Sequence, residues 1–231
     1  MPEYQELYRL QSSLSGTFDR MGLTQELQSA STFDEITPQE REQVAFLIEK
    51  FENHLAEVRS NLHSAEEILD QRLLVRLGNY YHAMGEELRA LDYYDLSNLV
   101  EENEWALFNT GRILYDQDDL EGATQRFEEA IKLKPEFPQA FRYLGLILFR
   151  RGDKEEALIE LRHSQKLNPN DPETNKILAE YFLAQGEKKE ALSHLKAIHY
   201  RDETVTEKIE ELERKKSLFN RLKDRFRGMD S

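Results

Sequence analysis

Residues 106–137, "ALFNTGRILYDQDDLEGATQRFEEAIKLKPEF", carry a glycine inside an apolar run and a proline near their end. Residues 140–171, "AFRYLGLILFRRGDKEEALIELRHSQKLNPND", repeat that punctuation with little else in common. Gly111 and Gly145 stand 34 residues apart, as do Ala123 and Ala157, Phe127 and Leu161, Leu133 and Leu167, and Pro135 and Pro169. A spacing held by five pairs is an internal repeat, and it predicts an array whose units bury their apolar faces only by stacking on one another.

The pattern extends in both directions. Ala179, Gly186 and Ala191 continue it downstream, and Leu77, Gly78, Gly85, Ala90 and Tyr94 return one residue short of register upstream. The units are placed at 71–103, 104–137, 138–171 and 172–205. Each is predicted to be two helices of about 14 residues joined by a short turn. Pro138 and Pro172 fall at the first position of a helix, where a missing N–H costs nothing. Gly85, Gly152 and Gly186 occupy the turn, and Asp118 stands there in the second unit, a residue that tolerates positive φ better than most. Small residues at 111, 123, 145 and 157 let paired helices approach closely, while Phe127, Leu148 and Leu161 fill the space around them.

This arrangement resembles the tetratricopeptide repeat. The residues that carry the likeness are Phe141, Leu144, Gly145, Leu148, Gly152, Ala157, Leu161 and Pro169 in one unit. In the unit before it they are Leu107, Gly111, Leu114, Ala123, Phe127, Ala130 and Pro135. The outer units depart from the pattern, with Glu102 at the proline position and Ala179 at the glycine position. The resemblance implies an all-α, TPR-type α-solenoid, a right-handed superhelix. It specifies fold far more sharply than function, because such arrays serve many unrelated assemblies.

Two segments flank the array. Thr37-Pro38-Gln39-Glu40 is a capping box with proline at the first helical position. Val44, Ile48, Phe51, Leu55, Val58, Leu62, Ala65 and Leu69 then alternate at spacings of 4 and 3. That seam, within residues 37–70, fits either a coiled coil that makes a homodimer or a long helix packed back on the first repeat. Residues 1–36 read as a short helix around Tyr4, Leu7 and Tyr8, broken at Ser15-Gly16, in a segment expected to be partly mobile or to dock on the array. At the other end, Thr204-Val205-Thr206-Glu207 is a second capping box. The helix after it, in residues 206–231, is expected to cap the last repeat through Val205, Ile209 and Leu212 and to end in a basic amphipathic tail. A solvated helix that offsets the acidic body is favoured there over membrane contact.

Composition narrows the chemistry. The 231 residues contain no cysteine, which excludes disulfides, thiolate zinc sites and cysteine nucleophiles. The formal net charge is −14 although seven of the eight charges between Arg214 and Gly228 are basic, so the body is a poor general binder of nucleic acid. "MPEYQELYRL" lacks the basic-then-apolar pattern of a secretory signal, and "LGLILF" at 144–149 is too short to span a bilayer; a cytoplasmic protein is expected. Glu160 and His163 have the spacing of a di-iron ligand pair, but only one copy is present, and Leu161 between them is a core position. The other histidines form no zinc pair, Ser193 and Lys196 lack the companion motifs of serine acyl enzymes, and no glycine-rich phosphate loop occurs. The reading is a non-enzymatic protein with no cofactor and no metal.

In proteins similar to this one, positions 2, 5, 9 and 12 of successive first helices face a concave groove, and spacings of 3 and 4 do share a helical face. The candidate groove residues are Asn79, His82, Trp105, Phe108, Arg112, Tyr115, Arg142, Leu146, Phe149 and Lys176. Trp, Tyr and Arg are the types most enriched where proteins grip one another. Related chaperone co-factors hold a C-terminal carboxylate with three cations and two asparagines. Here the corresponding residues are Val75, Asn79, Asn109, Gln139 and Tyr143, so both asparagines match and every cation is missing. The expectation is an adaptor or scaffold whose groove binds an acidic or aromatic-rich segment of a partner protein. The alternatives are a secretion chaperone of the same repeat type and a regulatory subunit of a larger complex, membrane-associated or not.

Overall fold

The computed structural model of the chain describes residues 2–25, 36–61, 69–199 and 202–214. Among them every regular element is a helix. In order these are α1 (Pro2–Arg20), α2 (Pro38–Asn61), α3 (Gln71–Ala83), α4 (Glu87–Val100), α5 (Glu104–Asp116), α6 (Leu120–Leu133), α7 (Pro138–Arg151), α8 (Lys154–Leu167), α9 (Pro172–Ala184), α10 (Lys188–Ala197) and α11 (203–214). No described helix is long and apolar enough to cross a membrane. The chain divides into two compact units, Met1–Pro135 and Glu136–Ser231.

Local sequence sets the helix ends. Asp70, Asn103 and Asp171 each accept backbone N–H bonds from the first turns of α3, α5 and α9. Pro138 and Pro172 open α7 and α9. The Thr37 capping box forms at the start of α2: the Thr37 amide donates to Glu40 Oε2 at 2.9 Å and the Glu40 amide to Thr37 Oγ1 at 3.3 Å. The first helix of each repeat ends in the same way, with a residue at positive φ and a reverse hydrogen bond closing the last turn. Asp118 is the described non-glycine that does this, at φ 66°, with its successor's amide bonded to the Leu114 carbonyl at 2.9 Å.

In the first unit α1 packs on α2, α3 on α4, and α5 on α6, while α1 also touches α3. In the second, α7 packs on α8 and α9 on α10. The glycines inside the first helices mark the closest approaches. A Cβ on Gly111 would lie 2.7 Å from Cε1 of Phe127, and one on Gly145 would lie 2.7 Å from Cγ of Leu161. Both partners are fully buried. Val205, Ile209 and Leu212 of α11 join the core of the second unit with Leu192, Leu195 and Phe182.

Two sequence expectations change, and one open choice is narrowed. Ser15-Gly16 does not break α1, which runs on to Arg20. Leu7, Leu10, Leu14 and Phe18 form one buried stripe, and burying them outweighs the roughly 1 kcal/mol a mid-helix glycine costs. The chain turns instead at Gly22 (φ 67°), where the Leu23 amide reaches the Phe18 carbonyl at 2.9 Å, the ending seen on the repeats' first helices. The described seam residues (Val44, Ile48, Phe51, Leu55 and Leu69) are buried in the same core as the α1 stripe, as the packed-helix reading of the seam has it. Val58, Leu62 and Ala65 lie outside the described side chains, as does the basic tail from residue 215. Finally, α11 is capped by Asp202, whose carboxylate accepts the Val205 amide at 2.8 Å, not by Thr204.

A polar clasp fixes α2 to the first repeat. Tyr81 and Tyr93 both donate their hydroxyls to Glu52 Oε1, at 2.7 and 2.8 Å. Burial first, and the neighbouring Glu52 carboxylate with it, push both phenols above the ordinary tyrosine value.

Candidate binding face

The predicted groove positions in the first unit fall on the facing sides of α3 and α5. Asn79 and His82 stand one turn apart on α3, and Trp105, Phe108, Arg112 and Tyr115 on α5. His82, Trp105, Arg112 and Tyr115 are half-buried, with faces still open. Phe108 is not: at 1% exposure it packs edge-on to Trp105 and against Phe127, 5.6 Å between ring centres. It is a core residue, held between the rings of Trp105 and Phe127. Lys134 lies over the Trp105 ring at 5.6 Å.

Asn79 is also withdrawn, for another reason. It is 2% exposed, and its Nδ2 donates to the carbonyls of Thr24 and Gln25 at 2.8 and 3.0 Å. Asn109 joins it from α5, with Nδ2 donating to the same Gln25 carbonyl at 2.9 Å and to Asn79 Oδ1 at 2.9 Å. The two asparagines that matched the carboxylate-gripping pattern thus hold the chain's own backbone. Sequence reasoning missed Arg76, which donates from Nε to the Leu23 carbonyl at 2.7 Å and pairs with Asp19 at 2.8 Å. The signal was visible: one arginine inside "LLVRLG", residues 73–78, whose other members are all buried.

Asn109 Oδ1 and His82 Nδ1 are buried without a hydrogen-bond partner among the described residues. Burial, with the Arg112 guanidinium nearby, pushes the His82 imidazole below its usual pKa, so it is neutral at pH 7. The face therefore offers a buried amide acceptor, an uncharged imidazole nitrogen and an arginine side by side.

In the second unit the predicted cations are already committed. Arg142 Nη1 sits 2.7 Å from Asp171 Oδ2, both side chains under one-fifth exposed. Asp171 in turn accepts the Thr174 amide at 2.8 Å to cap α9. Lys176 pairs with Asp202 at 3.0 Å and with Glu173 at 3.4 Å. Phe149 packs near Tyr181, at 6.1 Å, and Leu146 is half-buried. Arg142 and Lys176 are therefore positioned to hold the chain's own helix starts, a role that spacing alone does not distinguish from ligand contact. Glu160 and His163 lie 3.7 Å apart with the histidine largely exposed, while Leu161 is buried.

Comparison with known proteins agrees with this architecture. Residues 108–172 match the family described as tetratricopeptide repeat. Among solved structures, PilF of Pseudomonas aeruginosa superposes with a TM-score of 0.60 at 19% identity, over 89% of this chain and 82% of that one. MamA gives 0.53 at 17% identity, over 79% of this chain and 98% of that one. A thermophilic TPR protein of Thermus thermophilus gives 0.51 at 18%, over 62% and 81%. No curated protein matches the sequence. At such identities the likeness speaks for the fold: the chain is all-α, of the tetratricopeptide solenoid type, and residues 108–172 of it match the tetratricopeptide repeat family.

Proposed function

We propose that this chain is a non-enzymatic scaffold that holds an acidic segment of a partner protein on the first-helix face of its N-terminal unit. The observation that carries the reading is the pair of unmatched buried atoms, Asn109 Oδ1 and His82 Nδ1, beside Arg112. A buried acceptor left without a donor costs about 1–3 kcal/mol, and a backbone N–H from a bound segment would recover it. Arg112 selects an acidic neighbour on that segment, while Trp105 and Tyr115 supply half-open apolar surface for anchoring. Arg142 and Lys176, in the second unit, make ion pairs with Asp171 and Asp202.

A photo-crosslinker at Tyr115 in native extract would identify the partner, and titration of its segment against Trp105 fluorescence would give Kd. Arg112→Glu is expected to weaken that Kd by at least about tenfold, since like charges opposed across an interface are strongly unfavourable. A confirmed partner that binds Arg112→Glu with unchanged affinity would place the site elsewhere.

A further inference from the structure

Beyond α1 the chain runs as residues 22–25 over the face just described, and three successive carbonyls are each met by a buried side-chain donor. Arg76 Nε takes Leu23, Asn79 Nδ2 takes Thr24, and Asn79 and Asn109 Nδ2 together take Gln25, at 2.7 to 3.0 Å. The donors are held in place from behind. Asn79 Oδ1 accepts the Tyr94 hydroxyl at 2.7 Å and Asn109 Nδ2 at 2.9 Å, while Asp19 fixes Arg76. Asn79 and Asn109 also tie α3 to α5 and to Tyr94, and the donors not used in that bridging go to the strap carbonyls, as does Arg76 Nε.

We propose that residues 22–25 are a self-ligand: they fill a peptide site built from Arg76, Asn79 and Asn109, and a partner's extended segment must displace them to occupy it. The proposal rests on reading this face as peptide-binding. Leu23, 2% exposed, is the apolar anchor of the strap. The strap leaves Asn109 Oδ1 and His82 Nδ1 unmatched, so it fills only part of the site. Because it is joined covalently to α1, its effective concentration is on the order of millimolar, and a free segment making the same contacts competes poorly.

The test uses the chain's own sequence as the probe, a fluorescent peptide of residues 18–25, FDRMGLTQ. Leu23→Asp should expel the strap, because the anchor would become a buried carboxylate. That variant, with wild-type helicity, is expected to bind the peptide saturably and the wild-type chain at least about tenfold more weakly, the margin an intramolecular competitor provides. Adding Asn109→Ala to Leu23→Asp should weaken peptide binding by roughly fivefold, as loss of one hydrogen bond implies. Equal binding by wild type and Leu23→Asp, or none by the folded variant, overturns the proposal. Should Leu23→Asp fail to fold, hydrogen exchange decides. Asn109→Ala in the otherwise intact chain is expected to speed exchange across residues 22–25 by roughly fivefold, as loss of one strap hydrogen bond implies, with α3 unaffected. Unchanged exchange there overturns it. Neither readout involves a partner protein, so failure here leaves the Arg112 titration standing, and the converse holds too.

Discussion

The ring of Phe127 occupies the volume that a side chain on Gly111 would claim, and the same contest recurs at Gly78 with Tyr94 and at Gly145 with Leu161. The neighbours differ in how far they can yield. Tyr94 is fully buried and tethered by its hydroxyl to Asn79, Phe127 is wedged against Phe108, and Leu161 is a flexible side chain. Alanine substitution is therefore expected to destabilise by about 3 kcal/mol at Gly78, about 2 at Gly111 and about 1 at Gly145, read by urea denaturation; a reversed order would mean that the ring contacts do not limit packing. Asp171 makes a second prediction. Burial raises its pKa, but the Thr174 hydroxyl, the Arg142 guanidinium and the Thr174 amide together hold it below the ordinary aspartate value. Its contribution to stability is thus complete above about pH 4 and is lost as pH falls through the depressed folded value. Arg142→Ala should cost about 1–3 kcal/mol at pH 7, because it leaves a largely buried carboxylate without its partner. The loss should shrink on acidification, which thermal melts between pH 7 and 3 would follow.

At the scale of elements, the repeats were legible because their contacts are local: Gly111 meets Phe127 within one hairpin, and spacing alone reports the pairing. What was not legible depends on partners far off in the chain. Nothing in "SSLSG" shows that Leu7, Leu14 and Phe18 will find a core, so the intrinsic preference of serine and glycine suggested a break that packing removes. Likewise a 4-3 seam is the same on paper whether its mate is a second chain or α1. The clasp on Glu52 was invisible for this reason, since its tyrosines come 29 and 41 residues later. Glu52→Ala would strand two phenols and is expected to destabilise the first unit by about 1–3 kcal/mol, whereas Glu52→Gln, which keeps an acceptor, should cost less. With the clasp intact, ultraviolet titration should show these tyrosines ionising later than exposed ones. Their neutral-state stabilisation is complete below about pH 10 and lost as pH rises through the raised folded values.

For the molecule as a whole, burial of Val44, Ile48, Phe51 and Leu55 within one chain predicts a monomer in sedimentation at micromolar concentrations. Removing residues 1–61 would uncover Leu73, Leu74 and Tyr80, so the truncated chain is expected to aggregate, in place of the clean dimer-to-monomer conversion an intermolecular seam would give. Positions 2, 5, 9 and 12 pick out one face of each first helix, but not which residues on it the chain would itself use: Asn79 faces Thr24 and Gln25, and Arg142 faces Asp171. The manner in which Asn79 and Asn109 hold their ligand has one more consequence. They bind carbonyl oxygens, which every residue carries alike, so they can tell an extended chain from a coiled one but cannot tell one amino acid from another. Substitutions at Thr24 and Gln25 that keep the backbone extended should then be nearly silent. If the proposed strap site takes a partner, discrimination between sequences would fall to the side-chain contacts around it, the Leu23 anchor with His82, Trp105, Arg112 and Tyr115, rather than to the two asparagines.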